Sequence, residues 1–352
     1  MKQQSLNAQK GEIAFRKKLV QQHVKRERIF RDEFDAESLE TILRGRMERT
    51  HEHMTLLKRQ GIPLSPYIEI GAERCQRTLV MENDLEARGA AIDISYDMLK
   101  SCEHYRNTFH KHKTPLKVCC DANALPFMGN TLPFIFCYET LHHFPDPTPI
   151  VREIHRVLSP GGYFFFAEEP YKRMLHINLY QAQKLYSKER QSQSKIKNFF
   201  DFFFAELNCN EREYNIIENH DIPVNTWKKA LHIFEEKHVT LKSLRGTQAE
   251  LFHPKRYKRF LLACLLGGEI TGICRKVGEC RNENISIDDV LICPSCLRNE
   301  REAPLTKKDS SCFVCTKCKK KFPLIGDIIF LFSYEKLQKL YPEVFESLCD
   351  MS

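Results

Sequence analysis

The sequence has no apolar run that approaches the roughly 18 residues a membrane-spanning helix requires. Residues 1–20 contain no apolar core followed by a small-residue cleavage site, so no secretory signal is expected. No repeat recurs at a fixed period, which excludes solenoid and array folds. The 15 cysteines, without an export signal, therefore indicate a reducing compartment, the cytosol, where thiols pack or bind metal.

The chain of 352 residues has room for one full α/β domain and one or two smaller modules. Hydrophobic residues make up 42% of it and include 24 Phe and 12 Tyr, enough to bury a substantial core. The formal net charge of +8 is mildly basic and alone is weak evidence for a nucleic-acid partner.

Short apolar runs alternate with helix-compatible segments from residue 67 onward. The runs lie at 67–71, 89–94, 117–120, 132–138 and 163–167, and the helical segments at 76–87, 95–106 and 147–158. This alternation predicts a doubly wound, Rossmann-like α/β fold with a mainly parallel sheet and a ligand crevice at the carboxyl ends of the strands. Two further strands are expected at 239–244 and 269–274. The predicted divisions are a helical N-terminal extension (1–63), the α/β domain (64–276, with a helical insertion or lid at 171–260), a linker (277–287), a metal-binding ribbon (288–335) and a C-terminal tail (336–352).

The loop after the first strand has one glycine, Gly71, where the strand must turn sharply into a helix. Glu73 and Cys75 stand where a dinucleotide-binding loop would have its other glycines. A pyrophosphate needs bare backbone N–H groups and no nearby carboxylate, so this loop argues against NAD and FAD. A sulfonium nucleoside has no phosphates, and a carboxylate here costs it nothing electrostatically.

Acidic residues end the second and third strands. Asp93 is placed to accept both ribose hydroxyls of a bound nucleoside. Asp121, followed by Ala122, is placed to bind an adenine edge. The alternative is that each acid only caps the turn that follows it.

Region 67–170 resembles the class I S-adenosylmethionine-dependent methyltransferases, specifically the type-11 group, through five blocks in the correct order. These are EIGAERC, AIDISYDML, CDANALPF, CYETLHHFPDP and REIHRVLSPGGYFFFAEEP. The resemblance implies an S-adenosyl-L-methionine site, with Tyr138 to His142 facing the methyl group. The cofactor-binding residues it implies are Glu69, Gly71, Asp93, Ile94, Asp121, Ala122 and Tyr138.

Candidates for a catalytic base follow the fourth strand: Glu139, His142 and His143. Histidine suits a base near neutral pH, although such residues can also serve only to shape the pocket. No Asn/Asp-Pro-Pro-aromatic tetrapeptide follows this strand, which weighs against methylation of an exocyclic adenine or glutamine amide.

Two C-x2-C pairs in the tail, Cys293 with Cys296 and Cys315 with Cys318, predict a structural Zn²⁺ site in a small ribbon. Cys312 forms an overlapping pair with Cys315 and is a competing ligand. The ribbon, with its following apolar strand, resembles a small zinc-ribbon family that includes the activator subunit of tRNA, rRNA and release-factor methyltransferases. We expect it to have a core of its own.

The leading hypothesis is thus a methyltransferase acting on an RNA or translation protein, or on a small metabolite, lipid or glycan precursor. Basic clusters at 171–200, 254–259 and 301–321 favour an RNA or translation-machinery partner, although they also fit a solvated surface. The alternative is a non-catalytic binding or scaffold protein with a degenerate cofactor loop.

Overall fold

The computed structural model describes residues 2–25, 36–144, 146–172, 222–252, 254, 256–279 and 285–350. The helices are α1 (Lys2–Lys25), α2 (Ala36–Arg59), α3 (Gln76–Asp84), α4 (Tyr96–Lys100), α5 (Cys102–Thr108), α6 (Thr148–Val157), α7 (Val224–Leu231), α8 (Tyr257–Leu266), α9 (Pro294–Leu297), α10 (Tyr334–Leu340) and α11 (Pro342–Asp350). The strands are β1 (Tyr67–Ile70), β2 (Gly89–Asp93), β3 (Leu116–Cys120), β4 (Leu132–Tyr138), β5 (Leu158–Tyr171), β6 (Glu236–Ser243), β7 (Gln248–Glu250), β8 (Gly268–Arg275), β9 (Leu305–Lys307), β10 (Cys312–Cys315), β11 (Lys321–Ile325) and β12 (Ile328–Leu331).

The strands form one sheet in the order β7-β6-β8-β5-β4-β1-β2-β3-β12-β11-β10-β9. Strands β1 to β5 are parallel, and β1 and β4 are buried along their whole length, as expected for parallel strands covered on both faces. The predicted Rossmann-like fold is therefore confirmed. The strand order reverses between β1 and β4, and this reversal opens a crevice at their carboxyl ends.

Beyond β5 the sheet becomes antiparallel, with β8 pairing β5 and β6 pairing β8. These are the two further strands expected from the sequence. The described part of 171–260 contains α7 but also β6 and β7. The prediction of a helical insertion over all of that range is therefore wrong. Most of the basic cluster at 171–200 lies outside the described residues.

The cysteine-rich region extends the main sheet. β12 pairs in parallel with β3, from Ile328 opposite Lys117 to Leu331 opposite Cys120, and β11, β10 and β9 follow as antiparallel neighbours. Leu331 packs in the same core as Cys120. The expectation that the ribbon has a separate core is thus wrong, because every residue of β12 is buried, as in an interior strand.

The N-terminal helices pack over the carboxyl ends of the strands. α2 buries Leu43 and Met54 in a core shared with Leu79 of α3, and α1 contacts α4 and α10. No helix among the described residues is both long enough and apolar enough to cross a membrane.

Candidate functional site

A cavity of about 360 Å³ lies at the carboxyl ends of the parallel strands, beneath α1. It brings together every predicted cofactor or catalytic residue except Glu69, which lies behind its wall. The predicted residues that line it are Gly71, Asp93, Ile94, Asp121, Ala122, Tyr138, Glu139, His142 and His143.

The loop after β1 has the backbone of a glycine-rich turn although it contains one glycine. Gly71, Glu73 and Cys75 have φ values of 71°, 48° and 62°. A Cβ atom at Gly71 would lie 2.4 Å from Oγ1 of Thr140, so a larger residue would not fit there. Left-handed backbone at a non-glycine residue costs about 1–2 kcal/mol, so contacts elsewhere must hold Glu73 and Cys75 in place.

The side chain of Glu73 supplies such contacts. Its carboxylate accepts hydrogen bonds from Arg16 of α1 and Arg46 of α2, both at 3.0 Å, and its amide donates to Asp93 Oδ2 at 2.9 Å. Although burial acts to raise the pKa of Glu73, Arg46 and Arg16 hold it well below the usual range. The acid that replaces a glycine therefore anchors the two N-terminal helices over the cavity.

Arg77 was not predicted from the sequence, yet it is an unusual group in the cavity wall. Its side chain is 2% exposed, and its guanidinium lies 4.5 Å from the ring centroid of Tyr138. Its Nη2 is 3.7 Å from Glu139, and neither Nε nor Nη2 has a hydrogen-bond partner within the described part of the chain. A buried cation with unused N–H groups beside a cavity indicates an anionic ligand.

Glu69 lies behind Arg77, with no part of it exposed. Burial raises the pKa of Glu69 to about 8, against the opposing charge of Arg77. Neither of its two oxygens has a side-chain hydrogen-bond partner among the residues that the structure describes. Burial therefore favours the neutral form of Glu69, which offsets little of the charge of Arg77.

The acids that end β2 and β3 both face the cavity and also shape the backbone. Asp93 accepts from the Ser95 amide at 2.8 Å, and burial raises its pKa to about 6 against that hydrogen bond. Asp121 accepts from the Asn123 amide at 2.9 Å and forms an ion pair with Lys336 of α10. Capping and ligand binding are thus compatible roles for these residues.

The turn after β4 surrounds a buried carboxylate that the sequence interpretation missed. Glu169, near the end of β5, accepts hydrogen bonds from the amides of Thr140, Leu141 and His142 at 2.7, 2.8 and 3.1 Å. Its Oε2 also lies 3.0 Å from His142 Nδ1. Only the run Glu168-Glu169-Pro170 after an apolar strand marked this residue in the sequence.

The four cysteines predicted as ligands converge. The sulfurs of Cys293, Cys296, Cys315 and Cys318 all lie within 4.8 Å of one another, with Cys293–Cys318 at 3.6 Å and Cys296–Cys315 at 3.8 Å. A tetrahedron with Zn–S bonds of about 2.3 Å has edges of about 3.8 Å, which these separations match. Cys312 begins β10 and is not part of this group.

Part of this chain is similar in sequence to known methyltransferases. Residues 68–166 match the family model described as a methyltransferase domain. An uncharacterized chloroplastic methyltransferase of Arabidopsis thaliana is 34% identical over 89 residues, which cover 24% of this chain and 25% of the relative. The malonyl-[acyl-carrier protein] O-methyltransferase of a Marinomonas species is 30% identical over 78 residues, which cover 22% and 27%. The chain thus spans about a quarter of the length of these curated relatives.

A solved structure is similar over a larger part of the chain. It comes from the Haloferax volcanii complex between a methyltransferase activator and an inferred methyltransferase. The match has 18% identity and a TM-score of 0.39, and it covers 71% of this chain and 100% of that one.

Proposed function

We propose that this protein is an S-adenosyl-L-methionine-dependent methyltransferase. The observation that carries the proposal is the convergence, at the reversal of strand order, of a left-handed loop, an acid at the end of β2 and the buried Arg77. This arrangement also argues against a degenerate scaffold, because the loop has left-handed backbone at Glu73 and Cys75 as well as at Gly71.

The residues present fit the cofactor. We assign Asp93 to the ribose hydroxyls, and Asp121 with Ala122, which also line the cavity, to the adenine. The unused N–H groups of Arg77 fit the carboxylate of the methionine moiety. A cavity of about 360 Å³ is within the usual range for small-molecule sites.

The bound cofactor would supply a methyl group already activated by a sulfonium. The protein's own contribution is then alignment, exclusion of water and removal of a proton where the acceptor carries one. α1 covers the cavity through Ala8, Gln9 and Glu12, which limits access of water. Glu139 holds Arg46 at 2.9 Å and so helps to fix α2 over the site.

The four-cysteine group is proposed to hold a structural Zn²⁺, since four protein sulfurs leave no open position for a substrate. Exposed lysines lie close to the second cysteine pair in the chain, including Lys317 and Lys319. They either offset the net negative charge of a zinc ion held by four thiolates or receive the phosphates of an RNA partner. The methyl acceptor under the proposed function is an RNA or translation protein, or a small metabolite, lipid or glycan precursor.

Calorimetry with S-adenosylhomocysteine and 5′-methylthioadenosine tests this function. The second ligand lacks the amino-acid moiety, so Arg77→Met should weaken only the first. Loss of a charge-assisted contact of about 1.5–3 kcal/mol predicts a 10- to 150-fold higher Kd for S-adenosylhomocysteine. Failure of the wild type to bind either ligand would refute the function. Equal weakening of both ligands would refute the role of Arg77.

A further inference from the structure

The helix α8 has an apolar outer face although it lies at the surface. From residue 260 to residue 266 its sequence reads FLLACLL, without a charged or amide side chain. The helix contacts β6 and β7, and its Ala263 and Cys264 are buried. A helix that is apolar on every side is normally buried on every side. The exposed part of α8 is therefore a surface that the sequence equips for further burial.

Four large apolar side chains are exposed on this helix and beside it. They are Leu244, Tyr257, Leu261 and Leu262, and between 41% and 65% of each is exposed. Leu244 belongs to the same surface, because its amide donates to the carbonyl of Gly267, directly after α8, at 3.0 Å. Six large apolar side chains are exposed in the described part of the chain, so most of them lie in this one area. We call the four residues the α8 patch.

Cations flank the α8 patch at both ends. Arg256, Lys258 and Arg259 are exposed at the N-terminal end of the helix, and Arg245 is exposed near its C-terminal end. Arg256 and Arg259 line a surface depression in which Glu250 is the one acidic residue among those described. The area thus has an excess of positive charge around its apolar side chains, which complements an anionic surface.

The C-terminal half of α8 lies toward the edge of the sheet where the cavity is found. β8 begins at Gly268, which pairs with Tyr171 at the carboxyl end of β5. The hydroxyl of Tyr171 also donates to the carbonyl of Ala263 in α8 at 3.0 Å. The cavity lies at the carboxyl ends of the same parallel strands. A surface that binds the α8 patch is therefore next to this edge of the sheet.

We infer that the α8 patch docks this protein on an anionic lipid bilayer, where Tyr257, Leu261 and Leu262 enter the boundary between headgroups and acyl chains. Apolar insertion and a basic cluster are two contributions that together give stable binding at a bilayer surface. A nucleic acid would bind the cations but would leave the leucines in water. A standard protein interface takes about 20–30 residues from each side, many more than the patch and its cations supply. The docking does not depend on the proposed methyl transfer.

Flotation of the full chain with lipid vesicles tests the apolar contribution. We expect the wild type to float with vesicles of equal parts phosphatidylcholine and phosphatidylserine, and not with phosphatidylcholine alone. Leu261→Ser combined with Leu262→Ser should lower the partition coefficient at least about tenfold, since both side chains leave water on insertion. The matched control is Leu56→Ser, which changes a leucine of α2 that is 54% exposed and lies outside the patch. No flotation of the wild type, or an equal loss in the control, would overturn the inference.

The same assay tests the cations. Lys258→Gln combined with Arg259→Gln should lower the partition coefficient about 30-fold, since each cation near an anionic surface contributes about 1 kcal/mol. The control pair is Lys317→Gln with Lys319→Gln, two exposed lysines beside the four-cysteine group. An equal loss in both pairs would overturn the assignment to α8, and wild-type flotation with phosphatidylcholine alone would overturn the role of charge.

Fluorescence separates insertion from adsorption at the headgroups. The single native tryptophan, Trp227, is completely buried, so Tyr257→Trp adds a fluorophore that reports on the patch. Anionic vesicles with brominated acyl chains should quench the added emission, and they should not quench that of Leu56→Trp. Equal quenching in both variants, or none in Tyr257→Trp, would overturn insertion. Light scattering covers the other occupant: a wild-type dimer that Leu261→Ser with Leu262→Ser abolishes would assign the patch to a second copy and overturn the inference.

Discussion

Protonation of Asp93 should control cofactor affinity in weakly acidic solution. Burial raises the pKa of this carboxyl to about 6, against the hydrogen bond from the Ser95 amide. Ribose hydroxyls donate to the ionised form, so binding favours the carboxylate. The affinity for the cofactor is therefore highest well above pH 6 and decreases as the pH falls through that value.

The magnitude follows from the pKa. Between pH 7 and pH 5 the ionised fraction of a group that titrates near 6 falls about tenfold, and the affinity for S-adenosylhomocysteine should fall equally, by about 1.4 kcal/mol. Glu69, whose pKa is raised to about 8 by burial, stays protonated across this window and contributes little.

Calorimetry at the two pH values, on the wild type and Asp93→Asn, measures the effect. The variant should bind more weakly at pH 7 and show no dependence on pH, because an amide does not titrate. Asp97→Asn is the matched control, since Asp97 lies in the first turn of α4 and does not line the cavity. A tenfold loss that persists in Asp93→Asn, or that is absent from the wild type, would refute this reasoning.

Three further substitutions test the four-cysteine group and two contacts near the cavity. Cys296→Ser should release the zinc that elemental analysis is expected to find and, because β12 pairs with β3, should lower the Tm of the whole chain; an unchanged Tm contradicts the shared core. Tyr341→Phe removes the hydroxyl that donates to the Ile94 carbonyl at 2.7 Å, and it should lower the free energy of unfolding, measured with urea, by about 1–3 kcal/mol. An unchanged free energy of unfolding would show that this hydrogen bond does not stabilise the protein. Glu73→Gly should relieve the backbone but break the ion pair with Arg46 at 3.0 Å, which should speed proteolysis of α1; equal cleavage rates would exclude an anchoring role.

The sequence was sufficient to locate the parallel strands and nine of the residues that line the cavity. Continuous apolar runs, and the acidic residues that end them, can be recognised within short stretches of sequence. These patterns predicted β1 to β5 together with Asp93 and Asp121. The partners of those residues could not be predicted in the same way. Arg46 meets Glu73 only because α2 folds back over the loop, and Lys336 meets Asp121 from 215 positions away.

Ambiguous patterns account for the remaining differences. The apolar run at 328–332 suits a strand of an independent ribbon as well as an interior strand of the main sheet, and only its pairing with β3 decides between them. Glu169 and Arg77 are charged residues in buried positions, where sequence pattern predicts none. Their burial is explained by a turn of amides for the first and by the cavity for the second.

The pairing of β12 with β3 has a consequence for any attempt to divide the chain. A fragment that ended in the predicted linker at 277–287 would make β3 an exposed edge strand, with backbone N–H and C=O groups left unpaired on the side that β12 covers. It would also uncover the faces of Val118 and Cys119, both of which are completely buried in the full chain. An exposed edge strand can pair with a strand of another molecule, so the fragment should self-associate. We therefore expect the metal-binding segment to protect the protein from aggregation by covering the edge of β3.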